Sequence, residues 1–493
     1  MVRRGQMAKK ASSLKKNFLY NVVYEVLILI IPLITSPYLT RTIGPDRLGV
    51  YSFTQSYAQY FVLFIMLGLR NYGNREIAAI REDKEKLGRT FSEIYTFQFI
   101  MLLVVSIVYI VGLFTIIKED RTIFLIQFLY VLSAGFDINW CCFGLERFRL
   151  TVTRNAVIKI LSAVAIFVFV KCAADIWKYT LIIAEGTLAS QLIVWPFVLS
   201  EVKLSKPSWH GVVSRIKPNL LLFVPVVAIS LYTVMDKLML GVMDTKAEVA
   251  YYTYAERIIQ IPMSLITALG TVMLPRTSNM LYHGNIKESQ ILMGKSMQFS
   301  MLISLGSTFG IMAIAKDLIP WYYGANFSRC ATFTAFLAPV IALTSWNTVI
   351  RTQFVIPMGL DTIYLITVSS GAVVNLIMNS ILIPCLRGTG AVVGTLAAQL
   401  TVCVSQYLLL RKKLNLKVFI IDTIAFSVVG MIMGMAVALI PDILGSVILN
   451  ILMKIATGIL IYSGLATCYL LFIKKDRWLF DNALKVLLRR GKG

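Results

Sequence analysis

The sequence predicts an all-α polytopic membrane protein with about fourteen transmembrane helices and both termini in the cytoplasm. Two observations carry the fold class. Of 493 residues, 57% are hydrophobic and only 15% are charged, whereas a soluble chain would carry about 25% charge. The apolar residues also fall into blocks of about 20, the length that crosses a hydrocarbon core of about 30 Å. A third observation, the placement of the basic residues between those blocks, sets the orientation.

The fourteen expected spans are 18–39, 50–69, 92–117, 122–143, 152–170, 177–200, 219–240, 251–274, 297–315, 331–356, 362–384, 389–410, 418–440 and 446–473. The second is interrupted by Thr54, Gln55, Ser56 and Gln59, and the eighth carries Glu256 and Arg257. A helix with one polar face against a wet cavity has this composition, so both are kept. The first span comes after Lys9, Lys10, Lys15 and Lys16, like a signal peptide, but it is too long and no small-residue cleavage site lies behind it.

The chain has 48 Lys+Arg against 25 Asp+Glu, a net charge of +23. With a cytoplasmic N-terminus, and with the span-end residues Arg154 and Lys178 counted with the loops they adjoin, 33 of the 48 basic residues fall on inner segments and 10 on outer loops. The remaining five (Lys159, Lys237, Arg257, Arg351 and Lys454) lie inside spans. Removing one span would invert every later loop and destroy the asymmetry. The basic excess therefore reads as topology and contact with anionic lipid, and no nucleic acid is expected as a partner. Inner segments 74–90 and 275–295 mix charge with apolar residues and are expected to lie flat on the membrane as amphipathic helices. Seven cysteines, an odd number sitting mostly in or beside apolar segments, do not form a secreted disulfide framework.

An internal repeat is visible. Span one ends Tyr38-Leu-Thr-Arg41-Thr-Ile-Gly44, and span two opens Gly49-Val-Tyr51-Ser-Phe53. Span seven ends Asp236-Lys237-Leu-Met-Leu-Gly241, and span eight opens Ala250-Tyr-Tyr252-Thr-Tyr254. The separation is six spans. An even number preserves direction, so two six-helix halves would be related in parallel by an axis along the membrane normal.

Several chemistries are missing. His210 and His283 are the only histidines, both in inner segments, so no metal site or histidine-based triad is expected. The run Ser289 to Gly294-Lys295-Ser296 lacks the first glycine of a phosphate loop and no strand precedes it. Gly388-Thr-Gly390-Ala-Val-Val-Gly394 has the wrong last spacing for a dinucleotide fingerprint. It and Gly430-x-x-x-Gly434 read better as close helix packing. The chain is not expected to be an enzyme.

Ionisable groups inside spans cost about 2.5–3.5 kcal/mol each at mid-helix and need a wet cavity or a partner. Here they are Glu25, Asp137, Glu185, Asp236, Lys237, Glu256, Arg257 and Arg351, with Arg41 closing span one. Arg41, Lys237 and Arg257 sit in the four helices (one, two, seven and eight) that the repeat would gather around a cleft, where guanidinium forks suit phosphate oxygens. Glu25, Asp137, Asp236 and Glu256 would balance these charges or take up a coupling ion. Tyr51 and Tyr252 are candidates for stacking on a sugar. Lys159 and Lys454 are expected to snorkel.

Ser36-Pro-Tyr-Leu-Thr-Arg41-Thr-Ile-Gly44-Pro-Asp-Arg-Leu-Gly49-Val-Tyr51 resembles a signature of the polysaccharide (Wzx-type) flippases. These form one branch of the multidrug/oligosaccharidyl-lipid/polysaccharide (MOP) exporter superfamily. Asp137-Ile-Asn-Trp140-Cys-Cys-Phe-Gly144-Leu-Glu146-Arg-Phe148 and the run Asp236 to Arg257 are similar to two further signatures. Cys141-Cys142 and Ala250 depart from the pattern, where an aromatic residue and a glycine are common.

The resemblance implies two lobes in alternating access plus two extra C-terminal helices. The expected partition is a basic cytoplasmic segment (1–17), an N-lobe (18–200), a cytoplasmic linker (201–218), a C-lobe (219–410), the last two spans (411–473) and a basic cytoplasmic tail (474–493). It further implies transfer of an oligosaccharide repeat unit on undecaprenyl pyrophosphate between leaflets of the bacterial cytoplasmic membrane, for capsule, exopolysaccharide or O-antigen. Arg41, Lys237, Arg257 and Arg351 would then hold the pyrophosphate. Partners would be the lipid-linked substrate, membrane lipids, a polysaccharide polymerase and other glycan-assembly proteins. No cofactor is expected, and the coupling ion, H+ or Na+, stays open. Two negative charges leaving across 100 mV gain about 4.6 kcal/mol without ATP. Drug/cation antiport and flipping of the peptidoglycan lipid precursor are the alternatives within the superfamily. A glycan polymerase or acyltransferase would bring a large outer loop or a catalytic histidine.

Overall fold

The computed structural model describes residues 30–475. Glu25, the basic segment 1–17, the start of span one and the tail beyond Lys475 lie outside the described residues. Among those described there is no strand. Helix α1 covers 30–42. After it come α2 (Pro45–Met66), α3 (Leu69–Ile80), α4 (Lys84–Thr115), α5 (Arg121–Gly135), α6 (Asn139–Gly144), α7 (Phe148–Phe169), α8 (Ile176–Leu192), α9 (Trp195–Glu201) and α10 (Trp209–Ser214). Next are α11 (Ile216–Thr233), α12 (Met235–Met243), α13 (Lys246–Tyr282), α14 (Ile286–Tyr323), α15 (Ser328–Leu337) and α16 (Pro339–Ile350). The last are α17 (Asp361–Leu386), α18 (Gly388–Leu410), α19 (Lys417–Ala438) and α20 (Val447–Cys468).

Eleven helical segments among the described residues are long and apolar enough to cross a membrane. They become twelve when Ala325–Leu337 and Pro339–Val355, bent by 42°, are one span. These correspond to expected spans three to fourteen. Of the other two, the first begins outside the described residues, and the second is α2, a 22-residue helix diluted by Thr54, Gln55, Ser56 and Gln59.

Two expectations are corrected. Segment 275–295 is not a separate surface helix. Helices α13 and α14, of 37 and 38 residues, simply run on until the turn at Gly284, whose φ of 79° ends the pair. At 1.5 Å per residue each is about 55 Å long, well beyond the hydrocarbon core. Several spans are also broken. Span four breaks between α5 and α6, span six at Ile193–Val194 before Pro196, and span seven at Val234. Segment 74–90 does include a short amphipathic helix, α3, and then α4 begins, N-capped by Asp83, whose carboxylate accepts from Lys86 N at 3.1 Å. That hydrogen bond holds the Asp83 carboxyl below its usual range.

A broken helix in lipid frees carbonyls that have no water to turn to. At the α5–α6 break the gap is closed by side chains. Gln98 of α4, fully buried, donates from Nε2 to Ala134 O (2.7 Å) and Asp137 O (3.0 Å). Its own carbonyl accepts from Trp140 Nε1 at 3.0 Å. Trp195 Nε1 donates to Phe136 O at 3.1 Å.

The chain divides into two compact units. The first comprises Met1–Thr253 with Asn379–Ala391, the second Tyr254–Met378 with Val392–Gly493. In the first, the linker after α9 is tied to α4. Glu93, buried, accepts from Arg215 (2.7 and 3.1 Å), Ser208 (2.8 Å) and Arg89 (3.2 Å). Gly211 and Gly88 are required there, because an added Cβ would lie 2.0 Å from Glu93 Oε1 and 2.0 Å from Lys203 O respectively. In the second, α14 packs against α16, α19 and α20. Gly430 and Gly434 of α19 face Phe309 of α14, where a Cβ at 430 would come within 2.4 Å of the ring. This is the close packing expected of that glycine pair.

Replacing Gln98 by Leu leaves the carbonyls of Ala134 and Asp137 and the Trp140 indole without partners. The loss expected is about 3 kcal/mol, read as a lower midpoint of thermal unfolding in detergent. Gln98→Glu keeps the acceptor for Trp140 but sets a buried carboxyl group against the two carbonyl oxygens, so it should melt no higher than Gln98→Leu. A Gln98→Leu protein that melts with the wild type would show that the break is held elsewhere.

Candidate functional site

In the first unit the signature residues cluster where α2 meets α12. Gly44, at φ 84°, makes the turn from α1, and Pro45 opens α2 with its φ already set. Arg41, exposed, lies in the last turn of α1. Tyr51 is buried, its ring tilted against Tyr179 at 4.5 Å. Two glycines make close contacts here, Gly49 of α2 against the start of α13 and Gly241 of α12 against a ring of α2. A Cβ on Gly49 would lie 1.6 Å from Lys246 O, and one on Gly241 would lie 2.0 Å from the Phe53 ring. Lys246 closes the contact, donating from Nζ to Gly241 O at 2.5 Å and sitting 3.5 Å from the Phe53 centroid. The sequence placed Lys246 among the outer-loop cations and gave it no role. Its signal is only its spacing of five residues from Gly241.

The first turn of α12 carries Asp236 and Lys237. Asp236 is 1% exposed. Its carboxylate accepts from Tyr252 Oη and from Asn379 Nδ2, both at 2.6 Å. Tyr252 is completely buried and holds the acid, so its ring presents no open face in this structure. Lys237 is half-buried on a neighbouring face of the same turn.

Asp137 sits at the α5–α6 break, 4% exposed. Its Oδ1 accepts from Asn139 N (3.1 Å) and Nδ2 (2.6 Å), and its Oδ2 lies 3.6 Å from Arg70. Asn139 also reaches Gln191 (3.0 Å) and accepts from Arg154 (3.2 Å). Arg70 lines a cavity of about 430 Å³ together with Gln59, Tyr60, Asn71, Tyr130 and Ser230. The sequence counted Arg70 and Arg154 only as inner-face charges; what brings them into a network is the helix break, which composition does not reveal.

In the second unit, Arg257 and Tyr254 stand three residues apart on one face of α13. The guanidinium lies 4.4 Å from the Tyr254 centroid. Behind Tyr254 are Tyr323 (5.2 Å between rings) and Phe327 (5.3 Å). Glu256 is half-buried on the adjacent face. Arg351 opens a π-helical turn, Arg351–Val355, and lies 5.9 Å from the Tyr364 ring. Its Nε is buried without a hydrogen-bond partner among the described residues. One turn past Arg257, Ile261 and Pro262 begin the wall of an apolar groove of about 780 Å³ between α13, α14, α19 and α20. Lys454 in that wall does not snorkel. It is 7% exposed and paired with Asp317 (2.6 Å) and Asp442 (2.9 Å).

A family model described as "Polysaccharide biosynthesis protein" matches residues 14–281, more than half of the chain. The chain belongs to this family. A second model, "Lipid II flippase MurJ", matches residues 148–458. Among curated relatives, "Putative O-antigen transporter" of Escherichia coli (strain K12) is 24% identical over 349 residues, covering 69% of this chain and 83% of that protein. "Lipid II flippase MurJ" of Bacillus subtilis (strain 168) is 22% identical over 197 residues, covering 39% and 36%. The fold matches a solved structure titled "Lipid II flippase MurJ, inward closed conformation" at a TM-score of 0.72 and 15% identity, covering 92% and 98%. It also matches an inward-facing multidrug resistance MATE family transporter of the MOP superfamily at 0.59 and 16%, covering 80% and 94%. This polysaccharide-biosynthesis-family chain thus has a fold shared with MurJ and MATE structures, with eleven or twelve segments among the described residues able to cross a membrane.

Because Gly241 meets the Phe53 ring with no space for a methyl group, Gly241→Val should push α12 from α2 and displace Asp236. The expected cost is on the order of 3 kcal/mol, seen as lost monodisperse protein on size exclusion. Gly464, whose Cβ would meet nothing within 4 Å, is the control: Gly464→Ala should elute as wild type. Equal behaviour of the two variants would remove the glycine contact as the cause.

Proposed function

We propose that this protein flips undecaprenyl-pyrophosphate-linked oligosaccharide repeat units from the inner to the outer leaflet of the bacterial cytoplasmic membrane, by alternating access, for surface polysaccharide assembly. The observation that carries the reading is the juxtaposition on α13 of a cation and an apolar groove. Arg257 and Ile261 are four residues apart, about 6 Å along one helix face. A substrate with an anionic head and a long apolar tail has this division. The family membership and the similarity to an O-antigen transporter over 69% of the chain support the same class.

In this reading Arg41, Lys237 and Arg257 hold the pyrophosphate, and Arg351 supplies a further cation. Tyr51 and Tyr252 shape the helix ends that carry Arg41 and Lys237. Asp137, Asp236, Glu256 and Glu25 balance charge or take up a coupling proton or sodium ion. The topology we assign has fourteen spans with both termini cytoplasmic, and glycan-assembly proteins such as a polymerase take up the product.

Flipping of the peptidoglycan lipid precursor is the second reading. It is favoured by the match of residues 148–458 to the MurJ family model, and the same head-and-tail chemistry serves it. Drug/cation antiport fits less well, because Arg257 stands beside the groove and the acids at its wall, Asp317 and Asp442, are paired to Lys454.

The test is complementation of a strain lacking its O-antigen or capsule flippase, scored by surface glycan and by accumulated lipid-linked repeat unit. Arg257→Ala and Lys237→Ala should each cut surface glycan about tenfold or more with the intermediate accumulating, while Arg257→Lys and Lys237→Arg keep part of it. Normal export by both alanine variants at normal protein levels would end the pyrophosphate assignment. Rescue of a strain lacking its peptidoglycan-precursor flippase, without glycan export, would move the second reading to the front.

A further inference from the structure

The second unit contains a basic cavity that the transport reading does not use. It has a volume of about 470 Å³ and lies between α14, α19, the turn after α18 and the residue just past the last helix. Its wall carries three lysines, Lys287, Lys295 and Lys474, against one acid, Asp422. That acid is already engaged: Lys474 Nζ donates to its Oδ2, and Tyr469 Oη donates to its Oδ1 at 2.9 Å. The lining is therefore net positive by two. Exposed Arg411, Lys412, Lys413 and Lys417 surround the turn that supplies Leu414 and Asn415 to the wall.

Gln298 gives the cavity its second, independent mark. It lines the wall, is 2% exposed, and neither its Nε2 nor its Oε1 has a hydrogen-bond partner among the described residues. A buried amide left this way is destabilising unless a ligand or water completes it. Gly294 and Lys295, the pair that imitates a phosphate loop in the sequence, also line it. On a continuous helix they cannot wrap a phosphate with backbone amides. They can form one stripe, since 287, 291, 294, 295 and 298 share a face.

The rim is apolar. Ile291, 65% exposed, and the Phe419 ring border the cavity. A phosphate group entering beside them would bring a hydrocarbon chain without leaving lipid. We propose that this cavity binds the phosphate headgroup of an anionic membrane lipid. Lys287 and Lys295 supply the charge, the Gln298 amide donates to a phosphate oxygen, and the acyl chains lie over Ile291 outside the cavity. On the topology assigned above this is the cytoplasmic face, where basic pockets between helices meet anionic headgroups. The site is independent of the transported substrate.

The test uses the full-length protein, delipidated in a neutral detergent and free of glycan lipid. Thermal unfolding is followed while phosphatidylglycerol, phosphatidylcholine of the same chains, or inorganic phosphate is added. Phosphatidylglycerol should raise the unfolding midpoint and phosphatidylcholine should not. In the Lys287→Ala/Lys295→Ala protein the apparent affinity for phosphatidylglycerol should fall about thirtyfold, and Lys287→Arg/Lys295→Arg should restore most of it. Gln298→Leu separates binding from folding: it should melt no lower than wild type without lipid yet respond less to phosphatidylglycerol. An equal response of the double-alanine and wild-type proteins overturns the proposal, as does the absence of any response. Inorganic phosphate acting as strongly as the lipid through the same two lysines would assign the cavity to a soluble anion and overturn the lipid assignment.

Discussion

The geometry of the first unit depends on one side-chain amide. In a bilayer a helix can break only where its freed carbonyls find other donors, and Gln98 provides two of them while accepting from Trp140. Once that break exists, each residue of the Asp137–Glu146 signature has a physical assignment. Asp137 caps the turn and approaches Arg70. Asn139 links Gln191 and Arg154. Trp140 lies against Gly73, where a Cβ would come within 2.7 Å of the indole, and Gly144 lies against Ile77, where a Cβ would come within 2.6 Å of the isoleucine side chain. Glu146 takes a left-handed φ of 59° and reaches Arg81 at 2.5 Å. The motif is thus a joint that seats α6 on α3, and its acid is held by that joint.

The second constraint is distance between backbones. Gly241 lets α12 approach the Phe53 ring of α2, and Gly49 lets α2 approach the first turn of α13, until a methyl group would clash; Lys246 of α13 donates back to the Gly241 carbonyl. Packing of this kind is the main source of helix association in lipid, where the hydrophobic effect offers nothing. In the two matching sequence patterns the glycines act differently: Gly241 packs on the Phe53 ring, whereas Gly44 meets nothing within 4 Å and makes a turn at φ 84°.

Much of the fold was open to sequence reading because hydropathy and charge asymmetry act over whole spans. Twelve of the expected spans have their helices, and Gly430 and Gly434 pack as read. The features that sequence could not reveal depend on partners far away along the chain. Nothing near Gln98 announces that it completes a break 36 to 39 residues later. Lys454 looks like a snorkelling lysine until Asp317, 137 positions earlier, is placed 2.6 Å away. Segment 275–295 mixes charge and apolar residues whether it lies on a membrane or, as here, extends two long helices past it. Among the candidate residues, Arg257 is singled out in the sequence by being charged inside an expected span; that its guanidinium lies over Tyr254, three residues before it, is a helix-register fact the sequence does contain.

The two kinds of surface on α13 differ in what they can contribute to binding. Water-to-groove transfer of a hydrocarbon would be worth about 0.8 kcal/mol per methylene, but a polyprenyl tail starts in lipid, which is already apolar. The groove of about 780 Å³ therefore gains only packing, and Lys454 in its wall is already paired with two carboxylates. The head differs in kind. Leaving the interface for a low-dielectric cleft, a pyrophosphate loses hydration that only fixed cations can replace. In the proposed reading, affinity for a lipid-linked anion would come from groups such as Arg257, and the groove would select the length and shape of the attached chain. On that reading the cations, and not the larger apolar surface, would determine whether substrate enters at all.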